Sequence, residues 1–106
     1  MEKLAFTYDG GAPAEGARGA RIVGVVASGN LEVLIEPLAS SRTCTIEIDT
    51  AAHGFGATWQ AVMDDFFARH PVGGVRISIN DAGATPAIVA LRLDQAIEDY
   101  LRAISA

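Results

Sequence analysis

Residues 25–36 read VVASGNLEVLIE, and this stretch predicts a β-hairpin. Two apolar runs rich in β-branched residues flank Ser28-Gly29-Asn30, and such runs favour strands. Glycine and asparagine are the residues that adopt the positive φ angles of tight hairpin turns. Nothing in the turn itself requires a serine. The stretch therefore predicts two paired strands and raises the question of what Ser28 does.

Alternating apolar and polar residues extend the strand pattern on both sides of the hairpin. A helical pattern interrupts it only once before the last predicted strand. The four strands before that helix are joined by short connections, which favours an antiparallel meander. The predicted strands are Leu4–Tyr8, Arg21–Ala27, Leu31–Glu36, Thr43–Asp49 and Val75–Ile79.

Two helices are predicted from apolar residues at a helical period. The first carries Trp59, Val62, Met63, Phe66 and Phe67, with Thr58 as its expected N-cap. The second starts at Thr85-Pro86, because proline at the first helical position lacks an N–H that would be unpaired anyway. The order β-β-β-β-α-β-α predicts an α+β two-layer fold, with both helices on one face of a mostly antiparallel sheet. The length of 106 residues predicts a single domain, residues 1–106.

Charge and hydropathy exclude several classes of partner. The formal net charge is −5, and the eight Lys and Arg residues are scattered, so neither nucleic acid nor an anionic membrane surface is an expected partner. Residues 1–10 lack the pattern of a secretory signal, and no apolar run approaches the length of a spanning helix. We therefore expect a cytoplasmic protein whose acidic surface docks onto basic patches of other proteins.

No self-sufficient catalytic set or metal site is predicted. Cys44 is the single cysteine, expected to be a buried strand residue, and neither His53 nor His70 has a partner at metal-ligand spacing. A hydrolytic triad of Ser28, His53 and a carboxylate is disfavoured, because the nucleophile-elbow pattern is absent and a hairpin tip cannot exclude water. Asn80–Gly83 is typical of a strand-to-helix turn. The remaining classes are a binding module, a structural subunit and a carrier that borrows its reactive atom.

A carrier needs a hydroxyl that projects into solvent and enters the active site of another enzyme, without a base of its own. Ser28 at the tip of a stiff hairpin meets that need. Gly29 removes bulk beside the hydroxyl and allows positive φ, and Asn30 tolerates the left-handed conformation, so both form the turn that presents Ser28. This geometry alone does not separate a carrier from an ordinary hairpin.

Three stretches of the chain are Ala27–Pro37, His53–Trp59, and Asn80–Pro86 followed by Leu91-Arg92-Leu93. In register, they resemble the malonate decarboxylase acyl carrier protein (delta subunit) family, which is related to the citrate lyase acyl carrier protein. The similarity runs from about Leu4 to Tyr100, in consistent order. Asn30 differs from the aspartate that the citrate lyase carrier commonly has after Ser-Gly.

This resemblance implies a non-catalytic carrier subunit with a covalent phosphodiester between Ser28 and 2'-(5''-phosphoribosyl)-3'-dephospho-coenzyme A. The terminal thiol of that group would carry acetyl, which is exchanged for malonyl. The implied partners are an acetyl-carrier:malonate transferase subunit, decarboxylase subunits, a prosthetic-group transferase and a malonyl transferase that primes the carrier.

Two alternatives stay open at this point. A citrate lyase acyl carrier subunit would share the attachment chemistry, and the acyl group exchanged distinguishes it. A non-catalytic interaction module would assemble with its partners without any adduct on Ser28.

Overall fold

A computed structural model of the chain describes residues 1–13, 23–28, 30–38 and 42–105, with the backbone alone at 12–13, 23–28 and 104–105. The described elements follow the order of long elements predicted from sequence, with two additional two-residue strands. They are β1 Glu2–Tyr8, β2 Ala12–Pro13, β3 Val23–Ser28, β4 Leu31–Pro37, β5 Cys44–Thr50, α1 Gly56–Arg69, β6 Val72–Gly73, β7 Val75–Asp81 and α2 Pro86–Ser105.

The five long strands form one mixed sheet in the order β1-β5-β7-β4-β3. Strand β7 lies at its centre, parallel to β5 and antiparallel to β4. The β1–β5 and β3–β4 pairs are antiparallel as well, so the predicted mostly antiparallel character is confirmed. The short strands β2 and β6 pair in parallel as a separate two-stranded sheet.

The predicted meander is wrong. Only β3 and β4 pair as sequence neighbours, while β1 pairs with β5 and β4 pairs with β7. The reason is the helix between β5 and β7: parallel neighbours need a long crossover connection, and α1 supplies it. The crossover inserts β7 between β4 and β5, which short connections alone would have placed side by side.

Both helices cover one face of the sheet, as predicted. The residues of β4, β5 and β7 on that face are almost completely buried, and those of β1 are partly buried. Alternate residues of these strands face the other way and stay partly or fully exposed. Cys44 is buried in β5, as expected from the sequence. The largest fully buried side chains are those of Tyr100, Phe66, Ile35, Ile46, Ile48, Met63, Ile77, Ile79, Leu93, Ile97, Val33 and Val75.

The helix starts agree with the sequence in one case and differ in the other. Helix α2 begins at Pro86, as predicted, and the Thr85 hydroxyl accepts a hydrogen bond from the Ile88 N–H at 3.3 Å. Helix α1 begins at Gly56, so Thr58 lies in its first turn and is not the N-cap. Glycine-flanked Phe55 takes that place without a side-chain cap. Neither of these two helices of the described chain is long and apolar enough to cross a membrane.

We expect Ile77→Ala to destabilise the protein by about 2–5 kcal/mol, the usual cost of truncating a fully buried isoleucine. Ile77 is completely buried in β7 and pairs with Ile35 on one side and Ile46 on the other. Urea denaturation followed by circular dichroism measures the loss. Ser78→Ala on the opposite face is the matched control, with an expected change below about 1 kcal/mol. Equal losses in the two variants would contradict the assignment of the core face.

Candidate functional site

The hairpin that carries Ser28 has a defined register. Ser28 is the last residue of β3 and pairs with Leu31, the first residue of β4. Sequence reasoning had placed Ser28 in the turn, whereas its backbone belongs to the strand. Asn30 lies in the turn and is exposed, and Gly29 lies outside the described residues. Ser28 therefore stands at the point where the ladder ends and the turn begins.

The hairpin end is fastened to the central strand. The Asn30 carbonyl oxygen accepts a hydrogen bond from the Ala82 N–H at 2.8 Å, just beyond the end of β7. Leu31 pairs with Asp81 in the β4–β7 ladder. The position of the Ser28 backbone is thus tied to β7 through β4 and through the turn itself.

One row of paired residues crosses the whole sheet at this edge. Each member is the pairing partner of the next, so the row runs perpendicular to the strands and continues from the hairpin to the N-terminal strand. The row places Ser28 on the same edge as the starts of both helices, because β5 and β7 end there and lead towards α1 and α2. Its members are Ser28, Leu31, Asp81, Thr50 and Glu2.

Asp81 is the buried polar centre of this edge, with a side chain only 6% exposed. Its Oδ2 accepts a hydrogen bond from the Thr50 hydroxyl at 2.8 Å, and its Oδ1 accepts from the N–H groups of Gly83 and Ala84 at 3.2 and 2.8 Å. One side chain thus satisfies three hydrogen-bond donors. The contact joins the ends of β5 and β7 to the turn before α2.

A cavity of about 370 Å³ opens at the same edge, between the N-terminal ends of α1 and α2. Asp81 is the one charged residue among the described residues that line it, and Thr50 lies beside it. Trp59, the only tryptophan of the chain, lines the cavity. Its apolar walls come from Phe55, Trp59, Val62, Ala84, Pro86 and Val89.

The histidines do not join this site. The exposed His53 ring lies 3.5 Å from the α-amino group of Met1, and His70 ends α1 with its Nε2 3.2 Å from Asp94. Within the described ranges, no group of three or more His, Cys, Asp or Glu residues is arranged to hold a metal ion. Burial raises the pKa of the Cys44 thiol to about 12, so this cysteine stays protonated.

Sequence reasoning found the hairpin but missed the cavity and the role of Asp81. The turn predicted at Asn80–Gly83 is confirmed only for Ala82 and Gly83, because Asn80 and Asp81 still belong to β7. Asp81 is the residue that accepts the backbone N–H groups of the turn. What the sequence did not reveal is that Thr50, in a different strand, donates to the same carboxylate. The sequence contained one relevant signal: it predicted helix starts near positions 58 and 86, and a cavity can form between two such helix ends.

The chain matches the family model "Malonate decarboxylase delta subunit (MdcD)" over residues 18–100. It is 58% identical over 101 residues to the malonate decarboxylase acyl carrier protein of Stenotrophomonas maltophilia (strain K279a), covering 95% of both chains. Identity to the protein of the same name from Xanthomonas euvesicatoria pv. vesicatoria (strain 85-10) is 60% over 98 residues, covering 92% of this chain and 93% of the relative. The matched range includes the whole hairpin and both sides of the cavity.

A solved structure supports the same relationship. A chain of the Pseudomonas malonate decarboxylase hetero-tetramer in complex with malonate is similar to this chain with a TM-score of 0.71 and 36% identity. The match covers 92% of this chain and 97% of that one. The fold is therefore shared with a component of a multi-subunit assembly.

We expect Asp81→Ala to lower the free energy of unfolding by at least about 2 kcal/mol, because it leaves buried donors without an acceptor. The Thr50 hydroxyl and the Gly83 and Ala84 N–H groups all lose their partner. Asp81→Asn is the control, since it keeps an acceptor oxygen and should lose less. Urea denaturation and amide hydrogen exchange at Gly83 and Ala84 measure the effect. If Asp81→Ala were as stable as Asp81→Asn, the acceptor oxygens of Asp81 would not be what organises this edge.

Proposed function

The chain belongs to the malonate decarboxylase delta subunit family, and we propose that it serves as the acyl carrier of that enzyme, with its prosthetic group attached through Ser28. The observation that carries the proposal is the family match over residues 18–100, which includes Ser28 and its hairpin. In this family the name carrier denotes a subunit that holds the acyl group while other subunits perform the chemistry. The proposal therefore needs an accessible attachment point rather than an active site.

The end of the β3–β4 hairpin fits that requirement. Ser28 closes the strand ladder, and Asn30, two residues later in the chain, is exposed. The hydrogen bond from the Ala82 N–H to the Asn30 carbonyl and the pairing of Leu31 with Asp81 hold the hairpin end in place. A fixed attachment point of this kind limits the positions that a flexible arm must search, which lowers the entropic cost of reaching a partner site.

Three other hydroxyls of the described chain are poorer attachment points. Thr50 is completely buried and donates to Asp81. Thr85 is engaged at the start of α2, and Ser78 lies in the middle of β7, flanked by paired strands on both sides. A modifying enzyme must place the hydroxyl in its own active site, and a residue in the centre of a sheet cannot be inserted there without breaking the ladder.

The chain contributes position rather than reactivity. When bound, the prosthetic group supplies a thiol that holds the acyl group as a thioester. Cys44 does not compete with that thiol, because it is buried and its pKa is raised to about 12. The paired His70 and Asp94 lie at the other end of α1, away from the hairpin edge.

The group we propose is phosphoribosyl-dephospho-coenzyme A, in phosphodiester linkage to Ser28. In the proposed cycle this chain carries acetyl to an acetyl-carrier:malonate transferase subunit and malonyl to the decarboxylase subunits. A prosthetic-group transferase and a malonyl transferase would act on it beforehand. The net charge of −5 suits docking onto basic surfaces of these partners.

Replacing Ser28 with alanine should abolish attachment and with it malonate decarboxylation, because the acyl group loses its only anchor. We expect wild-type protein, produced with its partner subunits and modifying enzymes, to show one adduct by intact-mass spectrometry, mapped to Ser28 by peptide fragmentation. Ser28→Ala should show none, and carbon dioxide release from malonate should fall to background.

Ser78→Ala is the matched control and should keep both the adduct and full turnover. Turnover that survives Ser28→Ala without an adduct would overturn the carrier proposal and indicate an interaction module. If the complex that contains the modified chain turned over citrate rather than malonate, the chain would be assigned to the citrate lyase system instead.

A further inference from the structure

We propose that the cavity between the starts of α1 and α2 receives the acetyl thioester end of the arm on Ser28 and excludes the malonyl thioester. The inference rests on the proposed function, since it presupposes an arm on Ser28. It goes beyond that function because it gives the carrier itself a binding site for its cargo. The site would protect one acyl form and leave the other available.

The cavity lies within reach of Ser28. Along the row of paired residues, Asp81 is two strands from Ser28 and Thr50 is three, which at roughly 4.8 Å per strand gives about 10 and 14 Å. Asp81 and Thr50 both line the cavity. An arm attached at one end of the row therefore has only to fold back along the same edge of the sheet.

The hairpin and the cavity also share a structural element. The Ala82 N–H donates to the carbonyl of Asn30, two residues after Ser28, and the next two residues, Gly83 and Ala84, line the cavity. The turn that fastens the hairpin is thus part of the cavity wall. No rearrangement of the sheet is needed to bring the attachment point and the cavity together.

Size and polarity suit a short neutral acyl thioester. The volume of about 370 Å³ lies at the lower end of the range for small-ligand pockets, which is ample for an acetyl group, its sulfur and the adjoining part of the arm. Trp59, Val62 and Val89 offer apolar contact to the methyl group and the sulfur. Burial of that surface would retain the acetyl thioester by the hydrophobic effect.

Charge distinguishes the two acyl forms. Malonyl carries a carboxylate that acetyl lacks, and Asp81 is the one charged residue among the described residues of the wall. No cationic side chain of the described wall compensates the added charge, so entry of malonyl would bring two carboxylates together in an apolar space. Both the repulsion and the loss of hydration oppose it. The malonyl thioester therefore stays outside, ready for a decarboxylating partner.

The test compares thioester cleavage by hydroxylamine on acetylated and malonylated carrier, each normalised to the same thioester of free coenzyme A. We expect several-fold protection of the acetyl form and none of the malonyl form. The only cysteine of the chain is buried, so the thiol released comes from the arm. Trp59 fluorescence should change on acetylation and not on malonylation, which reports occupancy without any activity measurement.

Two variants connect the effect to the cavity. Ala84→Leu fills it and should abolish the protection, while Ala61→Leu, at an exposed position of α1 outside the lining, should not. Asp81→Asn removes the repulsion and should give the malonyl form partial protection, while the loss of hydration of its carboxylate still opposes entry. If this variant fails to fold, Ala84→Leu and the wild-type difference between the two acyl forms still decide the question.

Failure of this inference is distinguishable from failure of the proposed function. Absence of an adduct on Ser28 would refute the attachment, and titration of the unmodified chain with S-acetylpantetheine, followed by Trp59 fluorescence, would then still test the cavity. An adduct whose acetyl and malonyl forms are cleaved equally fast, with no response to Ala84→Leu, would overturn the inference and leave the carrier function intact.

Discussion

The insertion of β7 between β4 and β5 is the constraint on which the rest of the structure depends. Every residue of Val75–Asp81 pairs with both neighbours, antiparallel with β4 and parallel with β5. The parallel pairing requires a crossover, and α1 provides it on the same face that α2 later covers. Because alternate residues of β7 are buried, a shift of one residue would turn the whole core face outwards. The registers of β4 and β5 are therefore fixed through β7 together.

The same constraint builds the functional edge. With β7 in register, Asp81 meets both Leu31 and Thr50, and the hairpin residue Ser28 falls in line with them. The buried hydrogen bond between Thr50 and Asp81 then joins two strand ends to the turn before α2. A polar contact of this kind is costly to leave unmade inside a protein, so it stabilises one arrangement of the edge. The central strand β7 thus determines the position of the proposed attachment point.

Sequence predicted the parts of this arrangement that depend on neighbouring residues. The hairpin at residues 25–36, the strand alternation and the start of α2 at Pro86 follow from local pattern and turn chemistry. The order of strands did not, because β1 with β5 and β4 with β7 are pairings between distant segments. The cavity was missed for the same reason: its walls come from the ends of two strands and the starts of two helices. The N-cap of α1 was misplaced because Phe55 precedes the helix without any side-chain cap.

The features that stabilise this chain and the features proposed for its function lie in different parts of the fold. The lone cysteine is buried in β5 with its pKa raised to about 12, so the scaffold adds no reactive thiol that could exchange with the proposed thioester. The side chains of the described residues packed between helices and sheet are mostly apolar. Asp81, the one buried carboxylate among the residues whose burial is described, lies at the edge shared with Ser28. A single fixed negative charge in an apolar pocket is a poor ligand site for an anion and an acceptable one for a neutral thioester. In a carrier that alternates between those two cargoes, such a charge would let the scaffold favour one state without taking part in the chemistry.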